Sequence, residues 1–350
     1  MFGALRRRLL FTAKWLCVVI VLLLIAGGIY EQLGQRRDLR RLPRVGVAVD
    51  IGGRSMNIHC SGEGTPAVIF DAGNGEPGYA WSHIQPEVAK RTRACWFDRA
   101  GEGWSDMGPF PRTSAATSAD LHLLLQKAGI PSPYILVGHS LGGLNARVFN
   151  GMYPDDVAGA VLVDAAHQDE ATRAPAFMLG HTVRREMWRP IWIAGQSARL
   201  VGLLRLMAPA TTLSSDTARR TRRGIVRALR NQPKAIATQF DASNPESLAQ
   251  GERAAGFGNR PLIVLTQGKT EMPLHPTEED REYVAYLQVW MHEIQPKLAR
   301  LSTRGRQVIV EKSGHRIPDE APEFVIAAVH QLLEETRAPQ HIAVTATPHH

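Results

Sequence analysis

Cysteine is scarce in this sequence: Cys17, Cys60 and Cys95 are the only three in 350 residues. That number excludes a small fold stapled by several bridges, and no pair has the spacing of a structural metal site. Internal repeats and low-complexity tracts are also absent, which sets aside solenoids and repeat arrays. The body of the chain lacks a surplus of either charge. The formal net charge is +8, but residues 1–44 hold nine basic side chains against two acidic ones. The remainder is close to neutral, so the high pI does not point to a nucleic-acid partner. Finally, no strand-like run appears between Val163 and Leu262, an interval too long for a simple connection.

The basic residues bracket an apolar tract, Trp15 to Tyr30. As a helix it would span about 24 Å, a little short of a bilayer core of about 30 Å. Leu9, Leu10 and Phe11 extend it if Lys14 snorkels to the interface. The tract reads as an uncleaved, single-pass anchor in the cell membrane. The alternative is a signal peptide, with cleavage near Ala26-Gly27-Gly28 and a secreted product. Four basic residues precede the tract and five follow it, so charge does not set its orientation. Glu31 to Arg44 reads as a polar, arginine-rich linker.

From Val45 short β-branched runs alternate with helical stretches. Strands are expected at 46–50, 55–60, 67–70, 94–97, 134–137, 160–163, 262–265 and 307–310. The later runs are continuously apolar, as befits central strands covered on both faces. Helices are expected at 118–128, 141–152, 283–301 and 322–335. In the last, Phe324, Val325, Ala328, Val329, Leu332 and Leu333 form one apolar stripe, which reads as core packing. The alternation predicts an α/β fold with a mostly parallel, doubly wound sheet. The strandless interval, about 167–258, reads as a helical insertion that caps that sheet, with Met178, Met187, Trp188 and Trp192 expected on its apolar underside. Its arginines (Arg219, Arg220, Arg222, Arg223, Arg227 and Arg230) read as a solvated helix face, with anionic lipid headgroups as a second reading. The tail, 338–350, is expected to be disordered and its histidines are not read as a metal site.

Chemistry concentrates at Gly138-His139-Ser140-Leu141-Gly142, followed by Gly143. The segment matches G-x-S-x-G directly after a strand and directly before a helix, the context in which a nucleophilic serine sits on a strained turn. The hydroxyl needs a base. His315 follows the last strand in a small-residue turn, whereas His292 lies in a helical stretch and His59 in a strand. An imidazole with a pKa near neutrality can take the serine proton and return it to the leaving group. Two backbone amides should hold the developing oxyanion: that of Leu141, after the nucleophile, and that of Asn74, in the loop Asp71-Ala72-Gly73-Asn74-Gly75.

With these residues the chain resembles the α/β-hydrolase superfamily over roughly Val45 to Glu335, and in particular membrane-anchored or secreted bacterial members. The resemblance is carried by CSGEGTPAVIFDAGNG, CWFDRAGEGWSD, YILVGHSLGG, VLVDAAHQDE and VIVEKSGH. It implies eight strands, a mostly parallel sheet, a helical cap, and a domain from 45 to 337 behind the anchor segment 1–44. Asp98 and Arg99 fall in the loop after strand four and read as structural. Ala72 stands where many members carry histidine, which leaves the backbone donor intact. The third member of the triad has two candidates. Glu271 lies after strand seven, the commoner position; Asp164 ends strand six, and is preferred.

The activity implied is hydrolysis of a carboxylic ester or similar small acyl substrate through an acyl-enzyme, with no metal or organic cofactor. Amidase, thioesterase and carbon–carbon bond hydrolase chemistry remain open. So does a non-catalytic binding protein on the same fold. A serine at the elbow argues against dehalogenase and epoxide hydrolase chemistry, which relatives perform with aspartate there. The superfamily's strand order makes the strands of Cys60 and Cys95 neighbours, which implies a disulfide between them and a domain outside the cytoplasm. Two buried free thiols are the alternative.

Overall fold

A computed structural model of the chain describes residues 2–179, 188–207, 221–242 and 245–337. The tail 338–350, Met187, Arg219 and Arg220 lie outside the described residues. All eight expected strands form: β1 (Val47–Asp50), β2 (Ser55–Ser61), β3 (Ala67–Asp71), β4 (Ala94–Phe97), β5 (Tyr134–His139), β6 (Val157–Val163), β7 (Leu262–Gln267) and β8 (Gly305–Val310). They make one sheet in the order β1-β2-β4-β3-β5-β6-β7-β8. The β1–β2 and β2–β4 pairs are antiparallel and the other five are parallel. This is the α/β-hydrolase fold that the resemblance implied.

The continuous apolar runs are explained by burial on both faces. Alternate residues of one strand point to opposite sides. Val68, Phe70, Val137, Val161, Ile263 and Leu265 therefore pack under the last helix, Pro322–Arg337, whose stripe is buried as expected except at Phe324, which is partly buried. Ile69, Leu136, Ala160, Leu162 and Val264 pack on the other face, against the helices Ser114–Lys127 and Leu141–Met152. Cys60 and Cys95 lie directly opposite in the β2–β4 register and are joined by a disulfide, with Cα atoms 4.1 Å apart.

Two expectations need correction. The segment read as a linker is helical: one helix runs from Phe2 to Arg41, through the apolar tract and beyond it. No proline interrupts it before Pro43, and Arg40 and Arg41 in its last turn suit the negative end of the helix dipole. The arginine run is also not wholly a solvated face. On the helix Arg222–Arg230, Arg222 is half-buried and pairs with Asp319, and Arg230 approaches Glu76 at 3.8 Å. Arg223 and Arg227 are exposed as expected. Between β6 and β7 the described residues form helices and turns but no strand.

Candidate active site

Ser140 directly follows β5 and has φ 53° and ψ −116° before the chain enters the helix Leu141–Met152. A side chain in that region is strained, and such residues persist only where their surroundings fix them. Here the Ser140 N–H donates to the Val163 carbonyl (3.0 Å), and the Ser140 carbonyl accepts from Gly143 and Ala166 (3.0 Å each). The glycines of the motif are needed for close approach. A Cβ on Gly138 would strike the Gly142 carbonyl, and one on Gly142 would strike the carbonyl of Asp71 at the end of β3.

Asp164 directly follows β6 and is the other non-glycine residue with positive φ, 42°, among the described residues. Its carboxylate is fully buried and completely engaged. Oδ2 accepts from His315 Nδ1 at 2.6 Å, while Oδ1 accepts from the Gln267 amide (3.0 Å) and Trp290 Nε1 (2.8 Å). Glu271 points elsewhere: its side chain is 78 % exposed and pairs with Lys269 at 3.1 Å. Partial burial opposes a charged His315, but the hydrogen bond and charge of Asp164 outweigh it, with Glu170 and Glu76 adding to the effect. The His315 pKa is therefore raised above its ordinary 6.5.

His139 ties the turn of His315 to the turn at Ser140. Its Nε2 donates to the backbone carbonyl of His315 at 2.9 Å, and the two rings lie 4.8 Å apart. Burial, aided by the nearby His315, lowers the His139 pKa to about 3 and keeps it neutral. The residue before Ser140 thus holds the turn that carries His315. Nothing in the G-x-S-x-G pattern marks this role, because the middle positions are unrestricted. Trp290 gave no sequence signal either. It sits on a π-helical turn, Trp290–Ile294, inserted in the stretch that periodicity reads as one helix.

The loop after β3 is gripped from behind by Arg99, which is buried. Its guanidinium donates to Asp71 Oδ1 (2.5 Å) and to the carbonyls of Ala72 (2.5 Å) and Gly73 (2.6 Å). Glu102 completes the arrangement at 2.9 Å. The Gly73–Asn74 peptide is planar, so a carbonyl fixed on Arg99 turns the Asn74 N–H the opposite way. Asp71 Oδ2 also accepts from Asn145 Nδ2 (2.8 Å), linking this loop to the helix that follows Ser140. No acceptor among the described residues takes the amide of Asn74 or of Leu141. Asp98 is structural as expected, buried and bonded to the amides of Gly78 (2.7 Å) and Trp104 (2.9 Å).

From the β6–β7 interval, Met178 packs near Tyr286 and Trp290, and Trp192 stacks on Phe110 with ring centroids 4.5 Å apart. The side chain of Trp188 lies outside the described residues.

Known proteins agree with this architecture. A thermophilic esterase from Thermogutta terrifontis superposes with a TM-score of 0.53, at 21 % identity, over 83 % of this chain and 98 % of its own. An AB hydrolase superfamily protein of Gibberella zeae is 23 % identical over 298 residues, covering 78 % of this chain and 87 % of the relative. YbdG of Bacillus subtilis is 26 % identical over 151 residues, 43 % of this chain, and the match spans under half of that relative, 46 %. The model of the Alpha/beta hydrolase family matches residues 68–328, most of the chain, and this protein belongs to that family.

Proposed function

We propose that this protein is a membrane-anchored serine hydrolase that cleaves a carboxylic ester or a related acyl bond. Ser140 is the nucleophile, His315 the general base and Asp164 the acid that orients it. The observation that carries the reading is the 2.6 Å contact between His315 Nδ1 and Asp164 Oδ2. With Nδ1–H committed to Asp164, Nε2 of the neutral ring is the atom free to take the Ser140 proton. The serine oxygen then attacks the acyl carbon, and the imidazolium returns the proton to the leaving group. Water repeats the sequence to release the acid. The amides of Leu141 and Asn74 receive the oxyanion, supported by their lack of another acceptor and by the grip of Arg99 on the second loop.

The helices between β6 and β7 act as a cap over Ser140, and Met178 and Trp192 contribute apolar surface that suits an acyl group. The helix Phe2–Arg41 anchors the protein: it is long and apolar enough to cross a membrane, and Leu16, Leu22 and Leu24 along it are exposed. The Cys60–Cys95 bridge, which endures in oxidising compartments, supports a catalytic domain outside the cytoplasm. Turnover of p-nitrophenyl esters of graded chain length tests the substrate class. Hydrolysis favouring neutral acyl chains is expected, and a preference for strongly charged acyl groups would contradict it.

A further inference from the structure

The N-terminal helix carries two acidic residues, Glu31 and Asp38, and one arginine of the β6–β7 interval covers both. Arg205 Nε donates to Glu31 (2.7 Å) and Nη1 to Asp38 (2.8 Å); Glu31 is 3 % exposed. Between these two acids, and again one turn before them, the helix presents glycine. A Cβ on Gly27 would collide with the Val201 carbonyl, and one on Gly34 with the Arg205 side chain. Two helices of the interval, Trp188–Leu200 and Leu203–Met207, thus form a hairpin docked along the N-terminal helix. Its tip, Leu200-Val201-Gly202-Leu203, lies beside Gly27 and Tyr30.

Those contacts fix the height of the tip. Gly27 belongs to the apolar tract, and three residues of helix separate it from Tyr30, about 4.5 Å along the axis. A hairpin touching the tract there lies beside its last turn. Around that contact the hairpin exposes Leu200 (58 %), Leu203 (45 %), Leu206 (69 %) and Met207 (70 %). Leu33 of the N-terminal helix, one turn beyond Tyr30, is 57 % exposed. Scattered exposed leucines need no explanation, but a cluster continuous with a membrane-crossing segment does. The two carboxylates that would oppose burial in lipid, Glu31 and Asp38, are both paired with Arg205, which offsets one of their two charges.

We infer that the hairpin tip is a second membrane contact, seated in the interfacial region of the same bilayer that holds the N-terminal helix. The occupant of the Leu200–Met207 face is lipid. This rests on reading the N-terminal helix as a membrane span, and it adds that the helices capping the active site are fixed to the bilayer surface rather than held away from it by a linker.

The test uses full-length protein in phosphatidylcholine vesicles with a bimane label placed before reconstitution. Native Cys17 reports the span itself. Leu203→Cys and Leu206→Cys report the hairpin and Leu274→Cys, at a position 92 % exposed, reports water, all three in a Cys17→Ser background. Brominated phosphatidylcholine should quench the labels at 17, 203 and 206 but not 274, and aqueous iodide should do the reverse. Iodide quenching at 203 and 206, with bromolipid quenching kept at 17, would overturn the inference while leaving the span intact. Protection of 203 and 206 from both quenchers would also overturn it, since protein rather than lipid would then cover the face. Failure of bromolipid to quench position 17 would remove the span and the inference together.

Discussion

His315 Nδ1 donates to Asp164 Oδ2 at 2.6 Å, across 151 residues of chain. The acceptor is buried and receives two further hydrogen bonds, so the carboxylate is held in one orientation. Asp164→Asn keeps the shape but offers an amide where the imidazole needs an acceptor. It should lower kcat by on the order of 10⁴, as an equivalent change does in a serine protease. Glu271→Gln, on a solvent-facing side chain, should change kcat little. Steady-state kinetics of the two variants decide between the carboxylates, and the opposite pattern would move the acid to the loop after β7.

The same contact fixes a pH dependence. His315 must be neutral to accept a proton, and its pKa is raised above 6.5, burial being outweighed by Asp164. Activity should therefore be lost as pH falls, with the midpoint of the acid limb of kcat/KM above about 6.5. The buried His139, neutral down to about 3, should add no second limb near neutrality. An acid limb centred well below 6.5 would contradict the assignment of the base.

Arg99 acts through the loop it grips. Arg99→Lys keeps a positive charge but cannot reproduce the forked contacts to the Ala72 and Gly73 carbonyls. If the Asn74 amide serves the oxyanion, the loss should fall mainly on kcat, by about 10²–10³, with KM changing less. A matching loss of thermal stability with normal kcat in the folded fraction would mark Arg99 as purely structural.

Much of this arrangement is legible in the sequence, for a local reason. Strands buried on both faces must be continuously apolar, and an elbow serine must be flanked by glycine, so both leave short-range patterns. Pairings across the fold leave none. Asp164 and Glu271 both follow parallel strands, and only side-chain direction separates them. The grips of His139 on the His315 carbonyl and of Trp290 on Asp164 join residues 176 and 126 positions apart. Arg222 looks like part of a solvated run until β8 and the turn after it bring Asp319 to meet it. The Cys60–Cys95 neighbourhood was readable only through the strand order of the superfamily.

That bridge closes a loop with a sequence separation of 35. In the chain-entropy model it contributes about 3–4 kcal/mol. Cys60→Ala/Cys95→Ala should therefore lower the unfolding midpoint under oxidising conditions and be indifferent to reductant. Non-reducing mass spectrometry of protein from its native membrane should find Cys17 alone open to alkylation. Two free thiols at 60 and 95 would undo the argument for an oxidising compartment.

The central claim is that Ser140 is a nucleophile activated by His315. A fluorophosphonate probe tests it most directly, because it phosphonylates an activated serine without requiring the natural substrate. The wild-type protein should be labelled at the peptide containing Ser140 and nowhere else, and labelling should vanish in Ser140→Ala and fall sharply in His315→Ala. A folded wild-type protein that remains unlabelled, or a Ser140→Ala variant labelled as readily as wild type, would contradict the account.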